Sequence, residues 1–177
     1  MPRRFRSTVL TGLVTSLVLG GAGWLAGCSS DAQQTSDAAV SRDADFSVCQ
    51  DTPAVAYKPG VKVTSTSGAY VATLNSAVTE GTPPIIGPDV GLNTWVVSIS
   101  NAADSTPASV TMMAERPTMP LHGHGATTFP MVTPGDPDKF TVSKIDFFMA
   151  GYWEQKLDLQ PASGTADKAT FAICVPQ

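Results

Sequence analysis

An all-β fold, an immunoglobulin-like antiparallel sandwich of about seven or eight strands, is what this sequence predicts, and three observations predict it. Apolar residues beyond position 60 recur with a period of two rather than the helical 3.6. Clusters of Gly, Pro, Asn and Asp interrupt them at short intervals. No window after residue 30 carries the spacing of an amphipathic helix. Short alternating strands separated by turn chemistry at this density point to two packed antiparallel sheets.

The strands follow in order. Val61 and Val63 mark the first, then Tyr70, Ala72 and Leu74, then Trp95, Val97 and Ile99, then Val110 and Met112. Alternation resumes at Phe140 and Val142, slips at Ser143-Lys144 as a β-bulge requires, and continues through Ile145 and Phe147. Trp153, Leu157 and Leu159 form the next strand, and Phe171, Ile173 and Val175 the last. Between them lie Gly-Thr-Pro-Pro at 81–84, Gly87-Pro88, the stretch 101–107, Pro-Gly-Asp-Pro at 134–137 and the stretch 161–164. Each is a natural reversal point.

The first 27 residues have a different character. Arg3, Arg4 and Arg6 precede an apolar run from Val9 that ends in Leu25-Ala26-Gly27-Cys28. A basic head, an apolar centre and small residues before a cysteine are the layout of a bacterial lipoprotein signal peptide, residues 1–27, too short to be kept as a transmembrane helix. The tetrapeptide resembles the lipobox, which implies cleavage before Cys28, a diacylglycerol on its thiol and an acyl chain such as palmitate on the new amino group. Residues 28–45, the lipidated cysteine followed by Ser, Asp, Gln, Thr and Ala, are too polar to pack and read as a flexible tether. Residues 46–177 form the sandwich domain. The predicted address is the cell envelope, anchored to a membrane by lipid and facing the periplasm or exterior. Ser29, not Asp, after the cysteine would direct it to the outer membrane in a Gram-negative cell.

Cleavage would leave 150 of the 177 residues, enough for one domain with one core. It would also take three of the 11 basic residues, leaving eight against 15 acidic ones and a net charge near −7. That balance argues against nucleic acid as a partner. With Cys28 assigned to lipid, Cys49 and Cys174 remain, and in an oxidising compartment they predict a disulfide joining the first strand to the last.

Both histidines of the chain fall in Met119-Pro120-Leu121-His122-Gly123-His124-Gly125. In an extended backbone, residues two apart point to the same side, so His122 and His124 are placed for joint capture of an ion. Gly123 and Gly125 allow the chain to fold closely around it. Imidazole is a borderline ligand and thioether a soft one, so these two with Met119, and with Met149 or Met131, favour copper. Glu115 and Asp136 are the nearest carboxylates in sequence, too few for calcium or magnesium. Zinc stays open as an alternative, although a structural zinc site would want four firm ligands and the cysteines are committed elsewhere. The competing reading is structural: methionines filling core space and histidines bonded to backbone. Gly151, in Met149-Ala150-Gly151-Tyr152-Trp153, reads as a kink that permits close approach, with Trp153 in the core.

The segment 119–125, followed by Phe148-Met149-Ala150-Gly151-Tyr152-Trp153 and preceded by Gly91-Leu92-Asn93-Thr94-Trp95, resembles the YtkA-like domains and their FixH-like relatives. The resemblance rests on short motifs over roughly residues 57–160. It implies an immunoglobulin-like sandwich outside the cytoplasm, lipid- or membrane-attached, in a group with members associated with copper supply or oxidase assembly. Two functions follow as expectations. The first is a lipid-anchored copper-binding or copper-handling domain that uses His122, His124, Met119 and Met149. The second is a metal-free accessory module, presenting loops to a membrane-protein partner, in which the histidines are structural. No nucleophile motif or base with an orienting partner supports an enzyme.

Overall fold

The computed structural model describes residues 44–136 and 138–177; the signal segment, Cys28 and the tether up to residue 43 lie outside them. Eleven strands follow one another among the described residues: β1 (Val61–Thr64), β2 (Tyr70–Thr79), β3 (Ile85–Ile86), β4 (Gly91–Asn101), β5 (Val110–Ala114), β6 (Thr118–Met119), β7 (His124–Gly125), β8 (Met131–Pro134), β9 (Lys139–Phe147), β10 (Gly151–Pro161) and β11 (Asp167–Val175). No helix among them is long and apolar enough to cross a membrane.

Two antiparallel sheets face each other. One has the order β1-β2-β4-β9-β8, with β3 also on β2; the other has the order β11-β10-β6-β7, with β5 also on β10. The fold is thus the predicted β-sandwich, with eight strands of four residues or more. The alternation that predicted them is the alternation that is buried. Trp95, Val97 and Ile99 on β4 are inaccessible, as are Val142, Ile145 and Phe147 on β9, and across the interior Trp153, Leu157 and Leu159 on β10 and Phe171 and Ile173 on β11. Each such side chain contributes about 1.5–3 kcal/mol through the apolar surface it removes from water. Trp95 locks the layers together, its ring edge-on to Phe171 at 5.8 Å and tilted against Phe147 at 6.0 Å.

The predicted phase slip is a bulge. Asn93 pairs with Ile145 and Trp95 with Val142, so β9 carries one extra residue there, and Lys144 takes it up with φ +58°. The slip keeps Val142 and Ile145 both facing inward.

Cys49 and Cys174 form the predicted disulfide, with Cα atoms 5.9 Å apart. One detail differs from expectation. Cys49 lies not on the first strand but in a single 3-10 turn, Ser47–Cys49, upstream of β1. From there the chain runs beside β11: Val55 N–H donates to Ala172 O (3.0 Å) and Cys174 N–H to Val55 O (3.2 Å).

The register defines the two ends of the sandwich. At one end β2 finishes, β4 begins (Gly91 opposite Phe147), β9 finishes and β10 begins, with Gly151 opposite Val175 near the end of β11. The other end holds the turns at 65–69 and 162–166, and there Asp167 is tied down. Burial pushes its carboxyl up, but hydrogen bonds from the Ser65 and Ser67 hydroxyls and from the N–H groups of Ser67 and Lys168 outweigh that and hold it at about 2.

Candidate metal centre in the β6–β7 hairpin

Thr118 pairs with Gly125 and Met119 with His124, so β6 and β7 form a small hairpin, carried on β10 through Thr118 opposite Glu154. Its tip is built by three residue types. His122 N–H donates to Met119 O (3.1 Å), closing a turn in which Pro120 occupies the position whose φ its ring already sets. Gly123 N–H donates to the same oxygen (3.0 Å), and Gly123 takes φ +68°, a left-handed value that costs glycine little. The motif is therefore a reversal, not the extended run expected from its spacing. The rings still meet, because the turn brings round what a straight strand would have aligned. Their centroids are 5.5 Å apart at 40°.

A short stack of rings backs the pair. His124 lies 5.4 Å from Phe148, and Phe148 stands edge-on to Trp153 at 5.1 Å. Trp153 is fully buried and its Nε1–H donates to Met149 O at 2.9 Å, which fixes the β9–β10 connection beside the hairpin. Both imidazoles are exposed. Among the described residues, neither side chain makes a hydrogen bond or ion pair.

The methionines separate. Met149, in that connection, is 38% exposed. Met119 is 1% exposed and belongs to the core, its Cε only 2.9 Å from where a Cβ on Gly151 would sit; Gly151, at φ +134°, thus admits the methionine tip, as its reading as a kink anticipated. Met131 is exposed on β8, in the opposite sheet. The Glu115 carboxylate is engaged by Lys168, and Asp136 lies in the β8–β9 turn. No three His, Cys, Asp or Glu side chains gather among the described residues. The donors brought together are two imidazoles, borderline ligands.

Two residues of the segments that carry the resemblance have roles that their sequence did not show. One is Phe148, whose ring backs His124. The other is Asn93, inaccessible at the start of β4, which accepts from Thr79 Oγ1 (2.6 Å) and donates from Nδ2 to Asp89 O (2.9 Å) and Gly91 O (2.8 Å). The Gly-x-Asn segment carries the signal for it, since a short amide beside glycine is suited to closing an irregular strand entry.

Gly125 is a steric requirement rather than a flexible joint. A Cβ there would lie 2.6 Å from Pro117 O and 3.1 Å from Thr118 Cγ2. The clash is with backbone, at the oxygen that accepts from Ala126 N–H (2.9 Å). Gly125→Ala is expected to prise β7 from β6 at a cost of about 1–3 kcal/mol, whereas Gly123→Ala, with open space around it, costs only the strain of its left-handed φ, about 1 kcal/mol. Chemical denaturation of the two variants checks the order; equal losses would mean that the hairpin relaxes freely.

No family model, curated protein or solved structure matches this chain.

Proposed function

We propose that the protein is a YtkA-like or FixH-like lipoprotein, anchored through Cys28 on the outside of the cell, that binds and hands on copper at the tip of the β6–β7 hairpin. His122 and His124 supply the first two donors, and the exposed thioether of Met149 supplies the third from the neighbouring connection. Met119 lies in the core and serves as a fourth donor, the second sulfur, only by rotating outward past Gly151. The observation that carries this reading is that both imidazoles are exposed, and without hydrogen bonds among the described residues, with ring centroids 5.5 Å apart. Histidines kept for structure would be buried and bonded.

The chemistry is capture and release rather than turnover. Two nitrogens and a sulfur favour copper over the hard divalent cations, and a site on an exposed turn lets a partner approach the ion from outside. The proposed partner is a membrane protein that takes or supplies copper.

Titration with Cu(I) and Cu(II) against a chelator of known affinity tests it. One-to-one binding is expected, weakened at least a hundredfold in His122→Ala/His124→Ala, with a stability change within about 0.5 kcal/mol because the lost groups are exposed and unbonded. A double variant that binds copper as the parent does, or a parent that binds none, returns the hairpin to the metal-free accessory reading.

A further inference from the structure

Large apolar side chains are unevenly distributed along the sandwich. At the end where β10 begins and β11 finishes, Phe46, Ile86, Val90, Leu121, Phe148 and Met149 are all exposed, Leu121 at the hairpin tip by 69%. Phe46 and Ile86 line one cleft there, between the N-terminal turn and the β3 loop. The turns of the opposite end, 65–69, 102–106 and 162–166, expose no large apolar side chain; Met113, 64% exposed, lies on the flank of the sheet opposite Asp158. The turns present Ser, Thr, Asp and Ala instead. The domain is amphipathic along its long axis.

The chain enters at the apolar end. Gln177 N–H donates to Asp45 O (3.0 Å), and the disulfide joins Cys49 to Cys174, whose strand partner Tyr152 is next to Gly151. Asp45 therefore lies at the same end as the start of β10, and as Met119, whose tip touches Gly151. Sixteen positions separate Cys28 from Ala44. The segment that leads from Cys28 thus joins the sandwich at the end carrying the exposed apolar groups, so an anchor at Cys28 would tether that end to the bilayer.

We infer that this end of the sandwich rests on the surface of a phospholipid bilayer, with Leu121, Phe148 and Ile86 seated among the lipid headgroups and the His122/His124 hairpin held at the membrane surface. The inference rests on the proposed anchoring at Cys28. Asp45 borders the cleft at this end. Its exposed carboxylate disfavours an anionic surface, so the apolar side chains carry the contact and zwitterionic lipid is the matching surface. An ion held by the hairpin would then exchange with a site close to the membrane.

The test uses the full acylated protein in vesicles of phosphatidylethanolamine and phosphatidylcholine. An NBD fluorophore is placed on Leu121→Cys or, at the far end, on Ser163→Cys, with the native disulfide intact, and lipid-borne nitroxides serve as quenchers. Quenching at least threefold stronger at position 121 than at 163 is expected. Adding Ile86→Ser and Phe148→Ser to the Leu121→Cys protein should abolish that difference while the protein still floats with the vesicles. Equal quenching at both positions in floating protein overturns the inference alone. Protein that does not float overturns the anchoring reading and this inference with it.

Discussion

Trp153→Ala is expected to lower stability by about 3–5 kcal/mol, within the range for removing a fully buried aromatic ring, and to disable the hairpin site as well. The two effects have separate origins. The stability loss comes from the space left between Phe147, 5.3 Å from Trp153, and Phe148 at 5.1 Å. The effect on the site comes from the indole Nε1–H, which holds Met149 O, and from the edge on which Phe148 stands behind His124. Trp153→Phe separates them. It keeps most of the apolar volume but leaves Met149 O without its donor, costing about 1–3 kcal/mol, and, on the proposed copper reading, it should weaken binding roughly tenfold by releasing the connection that carries Met149, the proposed third ligand. Urea unfolding gives the first quantity and chelator competition the second. Trp153→Phe with undiminished copper affinity would show that the indole hydrogen bond does not position Met149.

What was legible in the sequence, and what was not, follows from how many residues each feature spans. Strands such as β2, β4, β9 and β10 run nine to eleven residues, enough for the period of two to declare itself. Even the bulge at Lys144 was visible, because a one-residue insertion shifts the phase of everything after it. The pairs β3, β6 and β7 have two residues each and no period to read. Four-residue β8 was hidden as well, with Met131 exposed and Pro134 at its end. At the site, residue identities were plain and the path of the chain was not. Two histidines around a glycine look the same in a strand and in a turn. Only the paired bonds from His122 and Gly123 to one carbonyl, with Pro120 and a left-handed Gly123, decide for the turn. Spacing was equally silent on the methionines. Met119 and Met149 are both candidate ligands in the sequence, but one is pulled into the core by its position on β6 opposite the start of β10, and the other stays in an open connection.

Breaking the disulfide by Cys49→Ser/Cys174→Ser should cost about 4–5 kcal/mol, because the bridge joins residues 125 apart and its removal restores that much loop entropy to the unfolded chain. Against the roughly 5–15 kcal/mol that holds a typical domain folded, this is a large share. The urea midpoint should fall steeply. The more informative quantity is copper affinity in the variant. The hairpin is held by β10 and by the fit of Gly125 against Pro117, neither of which passes through residues 44–49, so affinity should change less than twofold. Tyr152 is nevertheless the direct partner of Cys174, one residue from Gly151 and the tip of Met119. A tenfold loss of affinity with secondary structure intact would mean that the N-terminal turn braces the start of β10 from outside. The disulfide would then act on the folded site as well as on the unfolded chain.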